Sequence, residues 1–202
     1  MSNLLTQNSK MKRSGVRVFN FTLPALETCP NAGACAKGCY AMQGAYRWSN
    51  VYKKHKANLL RTKQPEFEGE IITEVRKKRV NRVRIHDAGD FYDEAYLTKW
   101  VNIANACPDV EFYAYTKMVE MFKTCHYRWP DNLTIIFSYG GKQDNLIDQS
   151  RDRHSQVFAC KEDLDAAGYI DASKDDSMAL CKHNHRVGLV YHGAKSKEWV
   201  TQ

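Results

Sequence analysis

Short apolar runs alternate along the chain with segments whose apolar positions recur every three or four residues, the rhythm of strand followed by helix. Val16-Arg-Val-Phe-Asn-Phe-Thr-Leu23 alternates, is rich in β-branched and aromatic residues, and stops at Pro24, which predicts a first strand. Trp48 to Lys63 carries Val51, His55 and Leu59 at helical spacing, and Pro65 opens a second helix through Ile71, Ile72 and Val75 to Arg79. Arg82-Val-Arg-Ile-His86 predicts a second strand and Asp87-Ala-Gly-Asp90 its exit loop. Asp93 stands where it can cap a helix running through Trp100 to Ala106. The unit recurs at Val110 to Tyr115, followed by Thr116-Lys117 and a helix through Met118, Phe122 and Cys125. Leu133-Thr-Ile-Ile-Phe-Ser138 then leads to the turn Gly140-Gly141. A fifth strand over Gln156 to Ala159, a short helix from Glu162 to Ala167, an extended Tyr169-Ile170 and a sixth strand over Val187 to Tyr191 complete the pattern.

Alternating strands and helices predict an α/β fold with a mostly parallel sheet and helices on the outside. Six such units in 202 residues fit a partial, open (β/α)6 barrel, since a closed eight-unit barrel takes about 250 residues. No Pro/Gly/Ser-rich linker divides the chain, so residues 1–202 are expected to form one domain, with the polar, basic stretch 1–15 flexible or peripheral. In a parallel sheet, function gathers at the carboxyl ends of the strands. The polar clusters of this chain fall there: Cys29 to Cys39 after the first strand, His86, Asp87 and Asp90 after the second, Thr116 and Lys117 after the third, Ser138 to Gly141 after the fourth.

Composition narrows the setting. Seven cysteines are an odd number, and no apolar leader opens the sequence, so a disulfide framework is not expected and a reducing cytoplasm is. No run reaches the ~18 to 20 apolar residues that cross a bilayer. The net charge of +7 admits a polyanionic partner. Its densest feature is Arg76-Lys77-Lys78-Arg79, extended by Arg82 and Arg84, which reads either as a nucleic-acid patch or as ordinary cation placement at a helix C-terminus. No P-loop, dinucleotide fingerprint or serine elbow is present.

The chemistry centres on Cys29-x5-Cys35-x3-Cys39, a loop that also holds Pro30, Gly33 and Gly38 and runs into Tyr40. A Gly-bearing loop lets three thiolates converge, and soft sulfur ligands select iron-sulfur clusters, zinc or Cu(I). A 4Fe-4S cluster on three cysteines leaves one iron open to a water, a substrate or a cofactor, and a fourth thiolate would close it. Cys181, in Leu180-Cys-Lys-His-Asn-His-Arg186, is the candidate for that fourth ligand or for a second metal site. Its alternative is an exposed polar loop, and Cys107 and Cys125 read as small apolar fillers. Zinc is a further reading, although structural zinc takes four ligands. An open iron at the mouth of a partial barrel resembles the radical S-adenosylmethionine enzymes, whose usual loop is the shorter Cys-x3-Cys-x2-Cys. That resemblance implies S-adenosylmethionine as cofactor. Tyr40, directly after the third cysteine, stands where a shield over the cluster would be useful, or is a tyrosine such as many loops carry by chance.

The neighbouring side chains have two readings each. His86, Asp87 and Asp90 can orient an amine, accept a ribose hydroxyl or move a proton. Alternatively the two carboxylates close the turn and His86 is core. Lys117 can hold a carboxylate or phosphate, or be a solvated strand end. Ser138, Gly140 and Gly141 allow close backbone approach to a ligand, or make a plain turn.

Thr28-Cys29-Pro30, Cys35, Cys39-Tyr40-Ala41, Arg84-Ile-His-Asp-Ala-Gly-Asp-Phe-Tyr92, Phe112-Tyr-Ala-Tyr-Thr-Lys117, Ser138-Tyr-Gly-Gly141 and Gly188-Leu-Val-Tyr-His192 together resemble the gene product 88 family of bacteriophage proteins, from about Val16 to Gly193. The resemblance implies a phage protein acting in the host cytoplasm and a three-cysteine iron-sulfur site. It carries no settled activity. An open cluster binding a small molecule is therefore one expectation, and an accessory factor whose structural or redox-sensing cluster accompanies a host protein or nucleic acid is the other.

Overall fold

A computed structural model of the protein describes residues 3–8, 11–12, 15–126, 128–181 and 183–191. Among these residues seven strands form one curled, half-barrel sheet: β1 (Val18–Phe21), β2 (Arg82–Ile85), β3 (Glu111–Thr116), β4 (Leu133–Ser138), β5 (His154–Phe158), β6 (Ile170–Asp171) and β7 (Arg186–Val190). Every pairing is parallel, in the order β1-β2-β3-β4-β5-β7-β6. The helices are α1 (Ser49–Thr62), α2 (Phe67–Lys77), α3 (Glu94–Ala106), α4 (Val119–Thr124) and α5 (Lys161–Ala166). Among the described residues no helix is long and apolar enough to cross a membrane.

The α/β class and the open, parallel half-barrel agree with the sequence pattern, and three details depart from it. The extended pair at Ile170 becomes a seventh strand because β7 is inserted between β5 and β6 and gives it a partner. Between β4 and β5 there is a single 3-10 turn at Asp144–Leu146 where a strand-helix unit would have a helix. The N-terminal residues 3–8 are built into the fold: Leu4 and Leu5 are buried, the Glu74 carboxylate accepts from both of their amides at 2.7 and 3.0 Å, and Thr6 pairs with Asn20 of β1. A Leu-Leu pair within a polar stretch is enough to anchor it once a buried carboxylate takes the backbone donors.

Period-two alternation divides the sheet into two unlike faces. Val83, Ile85, Phe112 and Ala114 point outward and are fully buried with Phe67 and Ile71 of α2 and Leu97 and Trp100 of α3. Phe21, Phe67 and Trp100 meet edge to face at 5.5 to 5.8 Å, fixing both helices against β1. Asp93 caps α3 through its carboxylate and the Tyr96 amide at 2.7 Å. The inner face follows from the register. Asn20, Arg84, Tyr113 and Thr134 form one cross-strand row, and Tyr115 stands beside Ile136 in the next. Ile136 and Val187 pack there with Ala172 and Ala179, so the base of the bowl is apolar and filled. Its upper part, at the carboxyl ends of the strands, remains open.

Candidate functional site

The loop that leaves β1 closes this opening. From Pro24 to Trp48 it crosses the mouth of the half-barrel and is pinned on the far side, where the amides of Gly33 and Cys35 donate to the Gly140 carbonyl at 3.2 and 3.1 Å. Lys142 binds the Pro30 carbonyl, Ala32 bridges to Gly141, and the Tyr191 hydroxyl beyond β7 donates to the Gly38 carbonyl at 3.3 Å. The contact is close: a Cβ on Gly33 would lie 2.8 Å from the Gly141 carbonyl, and Gly140 takes φ +94° to present its oxygen. The amides of Gly140 and Gly141 are both taken by the Asp144 carboxylate at 2.8 and 2.9 Å. Close approach at this glycine pair therefore serves the cysteine loop itself, with the amides occupied internally.

Beneath the loop lies a cavity of about 530 Å³, within the roughly 300–1,000 Å³ of ordinary ligand sites. Cys29, Cys35 and Cys39 all line it, together with Tyr40, His86, Asp87, Asp90, Lys117 and Ser138. The three cysteines are half-buried and free of disulfides. Burial, with the Asp90 charge second, pushes the Cys29 thiol up to about 12, and burial also raises Cys39, opposed first by the Ala41 amide and least by the Lys117 ammonium. They surround one space without closing on one point: among the described residues no group of three or more His, Cys, Asp or Glu side chains is arranged to hold a metal ion. Two of the described non-glycine residues with left-handed backbone, Leu26 at φ +65° and His86 at φ +67°, are on the cavity wall, a concentration of local strain at one site.

Two cations also line the cavity. The Lys117 ammonium donates to the Ser138 hydroxyl at 2.9 Å and to the carbonyls of Ser138 and Tyr139 at 3.1 and 2.9 Å, so it is fixed with neutral partners. Arg84 lies over the Tyr115 ring at 5.2 Å and pairs with Asp87 at 3.7 Å. Asp87 also accepts from the Tyr46 hydroxyl, and its carbonyl accepts from the Tyr40 hydroxyl. Tyr40 is thereby tied to the β2 exit loop while its ring stays on the rim. Asp87 forms part of the wall shared with a second cavity of about 480 Å³, which Asn20, Thr22, Lys54 and His55 also line.

His86 and Asp90 have other duties. Asp90 is buried, and its oxygens accept from the Thr116 hydroxyl at 2.6 Å, the Lys117 amide at 2.8 Å and the Phe91 amide at 2.8 Å. The His86 ring is buried against Phe91, with Nε2 on the Tyr96 hydroxyl at 2.8 Å and, among the described residues, no partner for Nδ1. Burial pushes its pKa down to about 3. An unfolded histidine titrates near 6.5, so between these values the unfolded chain binds more protons and stability falls as the pH drops. Urea unfolding at pH 7 and pH 5 should show wild type losing about 2 kcal/mol more than His86→Asn, at ~1.4 kcal/mol per pH unit. Asparagine tolerates the left-handed backbone. Equal losses in the two proteins would sink the assignment.

Several sequence candidates lie elsewhere. Cys181 precedes β7 and so stands at the amino end of the sheet, away from the cavity, where its carbonyl accepts from Arg153. It is exposed and does not line the cavity. Cys107 fills the outer core, and Cys125 faces Glu94. The basic run breaks up at the same amino end: Lys78 binds Asn3, the Leu5 carbonyl and Glu74, Arg82 pairs with Glu111, and Arg84 turns into the bowl. Arg84, Tyr115 and Tyr191 are cavity residues that the linear reading passed over. Alternation in Arg82-Val-Arg-Ile and Tyr113-Ala-Tyr was the available signal, since it sets those polar side chains on one face.

A model of the gene product 88 family matches residues 2–200. The Gene 88 protein of Mycobacterium phage L5 is 32% identical over 123 residues, covering 55% of this chain and 52% of the relative. That of Mycobacterium phage D29 is 30% identical over 123 residues, 55% of this chain and 51% of the relative. The chain thus spans about half the length of the curated relatives it matches. No solved structure matches it. With the family pattern running through the cysteine loop, the β2 exit and the strand ends that build the cavity, the chain belongs to the gene product 88 family of bacteriophage proteins.

Proposed function

We propose that the protein holds a 4Fe-4S cluster on Cys29, Cys35 and Cys39 in the host cytoplasm, with one iron free of protein ligands and facing a small molecule such as S-adenosylmethionine. One observation carries this reading: three disulfide-free cysteines of a single loop line one cavity at the carboxyl ends of an all-parallel, curled sheet. The donor set fits. A cluster takes one thiolate per iron, so its ligands need to face a common space, whereas a single zinc ion needs them at one point. Burial keeps Cys29 and Cys39 protonated until a metal displaces the protons, and Lys117 and Arg84 offset the negative charge that follows. When bound, such a cluster supplies one-electron chemistry.

The chain's own residues account for the rest of the cavity. Arg84 and Lys117 favour a carboxylate or phosphate, Asp87 favours an amine, and Leu189, Val190 and Tyr191 give the apolar wall on which a ring can lie. The reading is tested by anaerobic purification with iron and sulfide quantification, then electron paramagnetic resonance of the reduced protein with and without S-adenosylmethionine. A cluster signal that shifts on addition is the expected result. A fixed signal would leave the second reading, an accessory factor with a structural or redox-sensing cluster and a macromolecular partner, and zinc without iron would remove both.

A further inference from the structure

Between Thr28 and Pro65 the chain carries seven Lys and Arg residues, from Lys37 to Lys63, and no Asp or Glu, so this stretch alone holds +7, as much as the whole protein's net charge. The same stretch leaves large aromatic surface in solvent: Trp48 is 63% exposed, Tyr52 49% and Tyr40 47%, whereas Tyr96, Trp100 and Tyr113 are fully buried. Trp and Tyr rings held at a surface are typical of contact sites, where one end is apolar and the other wet. The stretch is also joined to the cavity wall. The Trp48 carbonyl accepts from the Tyr52 amide at the start of α1, and Lys56, one turn on, binds Glu27 in the cysteine loop at 2.6 Å, beside the cavity residue Leu26. Tyr40 is itself on the cavity rim. Lys37, Arg47, Lys53 and Lys63 are exposed and make no ion pair with a described residue.

We infer that this face binds a single strand of nucleic acid, with phosphates on Lys37, Arg47, Lys53 and Lys63 and bases stacked on Trp48 and Tyr52, leading to the cavity mouth at Tyr40. Cations set among exposed aromatic rings are what an unpaired strand needs, because its bases offer free faces and its backbone offers charge. A duplex hides those faces, and an acidic peptide has no use for flat rings. The inference extends the proposed function by naming the class of molecule that reaches the cavity. Its test uses no cluster readout, so either can fail alone.

Fluorescence anisotropy of the full chain with labelled 15-nucleotide oligothymidylate and oligouridylate, a duplex of equal length and polyglutamate as competitor, over a salt series, decides it. Single strands should bind with an affinity that falls as salt rises. Trp48→Ala and Tyr52→Ala should each weaken binding about 5- to 150-fold at an unchanged unfolding midpoint. Arg47→Gln and Lys53→Gln should each reduce the salt slope by about 0.7, while Arg76→Gln and Lys77→Gln change nothing. The inference is overturned by no binding at low salt, by a preference for duplex, by equal competition from polyglutamate, or by indifference to both aromatic substitutions.

Discussion

Alanine in place of any one of Cys29, Cys35 or Cys39 is expected to abolish the brown colour and the bound iron and sulfide of anaerobically purified protein, while Cys107→Ala and Cys181→Ala keep them. The contrast follows from placement. The first three line the cavity, Cys107 sits in the outer core at 3% exposure, and Cys181 is at the opposite end of the sheet. The loss is expected without unfolding. In small metallo-domains the metal supplies the folding energy, but here the loop is already bound to the Gly140 carbonyl, to Lys142 and to Tyr191 by groups other than the thiols. Far-ultraviolet circular dichroism of the three variants should therefore match wild type. Iron and sulfide retained by any of them would overturn the ligand assignment, and a collapsed spectrum would mean that the loop depends on its metal.

The strands were the most legible part of the fold because their signal is local. Leu133 to Ser138 is bounded by Asn132 on one side and the Gly140-Gly141 turn on the other, and β4 occupies the predicted residues. Asp93 reads as a cap for the same reason, since its carboxylate answers an amide three residues away. What could not be read was order. That β7 lies between β5 and β6 depends on contacts between segments far apart in the chain, and a two-residue strand has no periodicity of its own. The N-terminal segment failed for a related reason: its anchor, Glu74, is some seventy residues away.

The site divides along the same line. Residue types and their position after each strand predicted which clusters meet, and the nine described candidates that line the cavity come from the ends of four strands. Their individual tasks were not legible, because a hydrogen-bond partner decides them. Asp87 and Asp90 are three residues apart and chemically alike, yet one borders the cavity with Arg84 and the other is closed in by three donors. Charge distribution was present in the sequence but unmarked: an acid-free stretch from Thr28 to Pro65 has no cluster to draw the eye, whereas Arg76-Lys-Lys-Arg79 does and spends part of its charge internally.

Among the cavity's polar residues, Asp90 is where a substitution should cost the most stability. Its carboxylate joins the β2 exit to the end of β3, with Oδ1 accepting from Thr116 and Phe91 and Oδ2 from the Lys117 amide. Burial raises its pKa and these donors oppose the rise, so the three bonds are what make a carboxylate tolerable there. Asp90→Ala leaves three donors without their acceptor. At ~1–3 kcal/mol for each orphaned buried group, partly relieved by rotation of the Thr116 hydroxyl, the loss should reach about 3–5 kcal/mol. That is a large share of the ~5–15 kcal/mol that holds a domain together. Asp90→Asn keeps one oxygen for Thr116 and Phe91 but turns an amide NH2 towards the Lys117 N–H, so about 1–3 kcal/mol is expected, the cost of a single orphan. Asp87→Asn, which faces hydroxyl and guanidinium donors at the cavity edge, should leave the unfolding free energy within ~1 kcal/mol of wild type and act on ligand binding instead. Urea denaturation of the three variants, with Thr116→Val closing a double-mutant cycle on Asp90, reads all of this. If Asp90→Ala unfolds at the wild-type midpoint, the carboxylate is not a clamp and returns to the ligand-binding set with Asp87.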